Sequence, residues 1–194
     1  ILLKHNELVK LIEIKKDELV LDAGCGTGKY TKEIVKLGAN VIGIDFCEEM
    51  LELAMAKLPH VKFIRIDLSK KLPFKKNQFD KIVCAQTLKH IKNLKHTLAE
   101  FNRILKNKGK FIFSVTHPEM CWDGFEMRYS SSVNLAENSE IYQHKFQEYV
   151  DAFDKSEFKM DGIKQMPINK KIKHLLTVAS DAKVKGRYEI IIVR

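Results

Sequence analysis

Five short segments are apolar almost without interruption, and the intervals between them leave room for one helix each. They are "ELVLDA" (18–23), "ANVIGID" (39–45), "HVKFIRID" (60–67), "FDKIVCAQ" (79–86) and "GKFIFSVT" (109–116), all rich in Val and Ile. A strand with one wet face alternates apolar and polar residues, whereas runs that hardly alternate belong to strands covered on both faces. Between the last two segments, Leu94, Leu98, Phe101 and Leu105 fall on one helical face of residues 94–106, with Lys95, Arg103 and Lys106 elsewhere. Strand–helix–strand repetition with short connections requires right-handed crossovers and predicts a mainly parallel, doubly wound α/β sheet.

The 194 residues show no repeat, low-complexity tract or linker, so one fold around one core is expected. Residues 117–141 carry turn formers and no clear period, which predicts an insertion over the carboxyl edge of the sheet. A helix over 142–155 follows, whose Tyr142, Phe146, Tyr149, Val150 and Phe153 form a stripe best explained as core packing. "RYEIIIV" (187–193) reads as a buried final strand.

The formal charge of +9 raises nucleic acid as a partner. The residue types argue against it, because the excess is nearly all Lys and Arg is the residue that reads phosphates and base edges bidentately. Cys25, Cys47, Cys84 and Cys121 contain no CxxC pair, which fits reduced thiols better than a disulfide framework or a zinc site; no metal is expected. No window is apolar enough to span a membrane, and the first residues lack the pattern of a secretory leader, so a cytoplasmic address is expected.

The segment "ELVLDAGCGTGKYTKEI" (18–34) puts Gly24, Gly26 and Gly28 directly between the first strand and a helix. A backbone that bare lets a ligand lie against the turn. A P-loop would need Gly at Ala23 and Ser or Thr at Tyr30, and a dinucleotide GxGxxG would need Gly at Lys29; this chain has GxGxG instead.

The pattern "VLDAGCGTGKY" (20–30) resembles the first motif of the class I S-adenosylmethionine-dependent methyltransferases. "LPFKKNQFDKIVCAQTLKHI" (72–91) and "LAEFNRILKNKGKFIFSV" (98–115) resemble the small-molecule branch called methyltransferase-11, or the ubiquinone/menaquinone-biosynthesis-like group. The resemblance covers residues 18–116 well and the tail weakly. It implies a Rossmann-like, doubly wound sheet of seven mainly parallel strands with helices on both faces and an insertion after strand 5, residues 1–194 forming one domain and 117–141 an insertion or lid.

It further implies S-adenosyl-L-methionine as cofactor and S-adenosyl-L-homocysteine as product. Asp22 would sit near the cofactor's ammonium, Gly24, Gly26 and Gly28 would admit its chain, Asp45 would take the ribose hydroxyls and Asp67 with Leu68 the adenine. Gln86, closing the fourth strand, completes the cofactor-binding candidates. Seen singly, Asp45 and Asp67 could also be strand-end caps, the less favoured reading; Asp80 reads as structural.

Methyl transfer from a cationic sulfur needs positioning more than a dedicated catalytic group. Where the acceptor carries a proton, a base is wanted within reach. His117, one residue past the fifth strand, is the first candidate and His144 the second, each weighed against a structural histidine. Trp122, Phe125, Met127 and Tyr129 could line an acceptor pocket or merely cover the sheet edge. The expected activity is methyl transfer to a small molecule. The competing readings are a tRNA or rRNA methyltransferase and a non-catalytic cofactor-binding subunit that activates a partner.

Overall fold

The computed structural model describes residues 10–11, 13–116, 141–142, 144–167 and 187–193. Its strands are β1 (Leu19–Ala23), β2 (Asn40–Asp45), β3 (Lys62–Arg65), β4 (Phe79–Ala85), β5 (Leu105–Thr116), β6 (Met160–Pro167) and β7 (Arg187–Val193). Its helices are α1 (Lys29–Lys36), α2 (Glu48–Lys57), α3 (Leu94–Ile104) and α4 (Phe146–Asp154), with a 3-10 turn over Leu88–His90. They form one sheet in the order β3-β2-β1-β4-β5-β7-β6. Strands β1 to β5 pair in parallel, as the apolar runs predict, while β7 runs antiparallel to both of its neighbours.

The near-continuous apolar runs are split between two faces by the period-2 alternation of strand side chains. Leu21, Ala23, Ile82, Cys84, Phe111 and Phe113 join a core with Leu98 and Phe101 of α3 and Tyr149 and Phe153 of α4. Val20, Val41, Val83 and Ile112 join a smaller one with Ile34 of α1. Asp22 shares its parity with Val20 and therefore turns to the α1 side.

Helix α3 is capped by Asn93, whose side chain accepts from the His96 N–H at 3.2 Å. It ends at Ile104, short of the expected Lys106. The N–H groups of Asn77 and Gln78 take the carbonyls of Arg103 and Ile104 at 3.0 and 2.7 Å, and Leu105 is drawn into register with Phe79. The ladder then slips before Lys81 pairs with Lys110. Strand β5 consequently starts at Leu105, although its regular part matches the expected 109–116.

The late helix begins at Phe146, not 142, so His144 precedes it. The polar "MDGIKQMP" of β6 had no apolar run to reveal it, as suits a strand at the edge of the sheet. The expected insertion over 117–141 falls almost wholly outside the described residues.

Candidate functional site

Open α/β sheets bind ligands beyond the carboxyl ends of their strands where the order reverses. Here that point lies between β1 and β4, and the chain leaves β1 through the three glycines.

All three have left-handed backbones, with φ of +76°, +51° and +76° at Gly24, Gly26 and Gly28. Their surroundings differ. A Cβ on Gly24 would lie 2.1 Å from Thr87 Oγ1, in the turn that follows β4. One on Gly28 would lie 3.2 Å from Ala54 Cβ, so this residue sets the approach of α1 to α2. One on Gly26 would meet nothing within 4 Å. The turn is pinned by the Gly24 and Cys25 N–H groups, both donating to Ile44 O, at 2.8 and 3.0 Å.

Two acids flank it. Asp45 closes β2, with Oδ2 accepting from the Gly26 N–H at 2.8 Å and Oδ1 from the Cys47 N–H at 3.0 Å. Asp22 is 1% exposed, and its Oδ2 accepts from Thr31 Oγ1 at 2.6 Å. Its Oδ1 is buried with no hydrogen-bond partner among the described residues. Burial, opposed by the Thr31 bond and reinforced by the charge of Asp45, pushes its carboxyl up to about 6. Burial and the Asp22 charge likewise push the Cys25 and Cys84 thiols far above their ordinary range, so both stay neutral.

An unpartnered buried carboxylate oxygen with no cation against it is unusual, since buried charges are ordinarily paired. The donor set therefore fits a ligand with a cationic end near Asp22, and the open side of Gly26 leaves room for its chain.

The remaining candidates sit on the same edge of the sheet. Asp67 Oδ1 accepts from the Ser69 N–H and Oγ at 2.9 and 2.6 Å. Partial burial works against ionisation there, but these bonds outweigh it and hold the carboxyl below its usual range. Leu68 is buried, and its carbonyl accepts from Thr97 Oγ1 of α3 at 2.8 Å. Gln86 adopts φ +61°, unusual for a side-chain-bearing residue, while its N–H donates to Ser114 O at 2.8 Å. Asp80 ties strand starts together, accepting from the Leu19 N–H at 2.9 Å and pairing with Lys106 at 2.8 Å.

Of the two histidines, His117 lies outside the described residues, as do Cys121, Trp122, Phe125, Met127 and Tyr129. His144 lies against the turn after β4: its Nε2 is 2.7 Å from Ile91 O and its ring meets Tyr149 edge-on at 5.5 Å. The Tyr142 N–H donates to Lys89 O at 2.7 Å, fixing the same short segment to that turn.

Three residues escaped the sequence reading. Thr31 is a buried polar residue on the apolar face of α1, three positions before Ile34, and that mismatch was a usable signal. Thr87 is recognisable only through its contact with Gly24. Phe46 follows Asp45 and is 65% exposed, with the Arg65 guanidinium 5.6 Å from its ring centre.

Among the described residues no helix is long and apolar enough to cross a membrane, and no cluster of three or more His, Cys, Asp or Glu could hold a metal.

Comparison with known proteins agrees with this geometry. Residues 21–113 match the methyltransferase-11 family model, a methyltransferase domain. The uncharacterized protein MJ1252 of Methanocaldococcus jannaschii is 40% identical over 105 residues, 54% of this chain and 39% of that protein. A demethylmenaquinone methyltransferase of Bacillus cereus is 30% identical over 133 residues, 64% of this chain and 55% of that enzyme. The chain thus spans about half the length of the curated relatives it matches. The crystal structure of an S-adenosylmethionine-dependent methyltransferase from Mesorhizobium loti superposes with a TM-score of 0.78 at 18% identity, covering 97% of this chain and 96% of that one, a likeness of fold.

Proposed function

We propose that this chain, whose residues 21–113 match a methyltransferase domain, is a class I S-adenosylmethionine-dependent methyltransferase that transfers the cofactor's methyl group to a small-molecule acceptor. The observation that carries this reading is the uncommitted Oδ1 of Asp22, buried below a glycine turn whose Gly26 faces open space. S-adenosylmethionine, when bound, supplies a methyl group already activated by its cationic sulfur.

The chain's own part is then to bind and orient. Asp22 holds the ammonium end. Gly26 admits the amino-acid chain without a Cβ in its path. Asp45, already accepting one bond at each oxygen, keeps lone pairs for the ribose hydroxyls. Asp67, Leu68 and Gln86 border the adenine side, and Phe46, the residue after Asp45, offers an exposed apolar ring. Orientation of this kind can lower a barrier by several kcal/mol without a catalytic side chain. His117 and His144 are the candidate bases for a protonated acceptor; with Nε2 donating to Ile91 O, His144 would act through Nδ1. A small acceptor is favoured by the likeness to a demethylmenaquinone methyltransferase.

Thermal shifts with S-adenosylmethionine, S-adenosylhomocysteine and NAD test the cofactor: the first two should stabilise the protein, by about 2.7 kcal/mol at 100 times the dissociation constant. Stabilisation by NAD alone sinks the reading. Methyl-labelled cofactor incubated with metabolite and RNA fractions tests the acceptor, and label confined to RNA refutes a small molecule.

A further inference from the structure

Thr31 and Asp22 form the one fully buried polar pair at the glycine turn, Thr31 being 0% and Asp22 1% exposed. The hydroxyl of Thr31 engages Asp22 Oδ2 at 2.6 Å and leaves Oδ1 uncommitted. The Thr31 backbone N–H contributes to the same carboxylate. The ionisable groups facing Asp22 from the surrounding elements are Asp45 at the end of β2, Cys25 in the turn and Cys84 on β4. None is a cation, so among the described residues the carboxylate has no counter-charge.

We propose, resting on the cofactor site described above, that Thr31 is a positioning residue: it fixes the Asp22 carboxylate with one oxygen reserved for the cofactor's ammonium, and cofactor binding is thereby coupled to loss of a proton from Asp22. Below about pH 6 the free site holds that proton, because burial and Asp45 disfavour a second negative charge and the Asp22 carboxyl stands at about 6. A bound ammonium reverses the balance. Affinity should be constant well above that pH and fall toward tenfold per pH unit below it. Thr31 opposes the upward shift, so its loss moves the break to higher pH.

Titration calorimetry with S-adenosylhomocysteine between pH 5.5 and 8 reads this directly. Thr31→Val should bind nearly as wild type at pH 8 and about fivefold more weakly at pH 6, from loss of a hydrogen bond to a charged group that moves the break by about one pH unit. Thr31→Ser, which keeps the hydroxyl, should restore the wild-type curve. Proton release, measured in buffers of different ionisation heat at pH 6, should be about half a proton greater for the wild type than for Asp22→Asn. That comparison decides the matter even if the valine variant does not fold.

A wild-type affinity flat down to pH 5.5, equal proton release in wild type and Asp22→Asn, or a Thr31→Val curve that overlays the wild type would each overturn the proposal while leaving the cofactor reading in place. Failure of the wild-type protein to bind S-adenosylhomocysteine at any of these pH values overturns both.

Discussion

An alanine at Gly24 would drive its Cβ to 2.1 Å from Thr87 Oγ1, whereas one at Gly26 would meet no atom within 4 Å. Both carry left-handed strain of about 1–2 kcal/mol. Gly24→Ala adds a collision with the turn after β4 and should lose a further ~1–3 kcal/mol. In urea unfolding, Gly26→Ala should therefore be the milder variant, yet calorimetry should find its S-adenosylhomocysteine affinity reduced at least tenfold if the ligand takes the path proposed above, where the new methyl group would stand. Asp22 invites a stability test in the cofactor-free protein. Its carboxyl rises from an ordinary 3.8 to about 6 on folding, so the folded chain binds more protons than the unfolded one across that window. Stability then falls as pH rises through about 4 to 6, by about 3 kcal/mol in all. Asp22→Asn removes this term and should melt above the wild type at pH 7.5 but not at pH 3, a gain in stability set against binding that is weakened yet still measurable by calorimetry.

At the scale of elements, the connection from β3 to β4 is tied to α3 by Thr97, which bonds Leu68 O, and most extensively by the guanidinium of Arg103. Arg103 donates to Phe74 O at 2.7 Å, to Leu72 O at 2.9 Å and bidentately to Glu100, whose Oε2 also accepts from the Leu72 N–H at 2.7 Å. That carboxyl is held below its usual range, with the Arg103 bond as the main cause. A lysine cannot reproduce the fork. Arg103→Lys should cost about 2 kcal/mol in chemical denaturation. It should also weaken cofactor binding modestly, because the connection it frees begins with Asp67 and Leu68. Sequence periodicity correctly put Arg103 off the apolar face of α3, but nothing in that pattern said which carbonyls it would find.

At the scale of the molecule, the family match ends at residue 113 while the core continues beyond it. Phe113 stacks on Phe153 of α4 at 4.8 Å and on Tyr149 at 6.1 Å, and Phe111 lies 5.5 Å from Phe158. Of the predicted stripe, Tyr149 and Phe153 are thus core and Phe146 packs partly against it, while Tyr142 lies before the helix. Phe153→Ala should cost about 3–5 kcal/mol in urea unfolding. Below the melting transition its S-adenosylhomocysteine affinity should stay within about twofold of wild type, since the ring belongs to the α3–α4 side of the sheet and the cofactor candidates to its carboxyl edge. A large loss of affinity at low temperature would show that this core shapes the site.

Unbroken apolar runs and the GxGxG spacing gave away, from sequence alone, the parallel α/β class and the bare turn after the first strand, while the family resemblance nominated Asp22, Asp45, Asp67, Leu68 and Gln86 as candidate site residues. Those are local properties: strand burial is written in composition, and a left-handed turn in glycine. Tertiary structure decided the rest, because it depends on partners distant in sequence. It set the end of α3, claimed by Asn77 and Gln78; the division of labour among three similar glycines, settled by Thr87, Ala54 and open space; and the solitary oxygen of Asp22, isolated by the reach of Thr31 nine residues on.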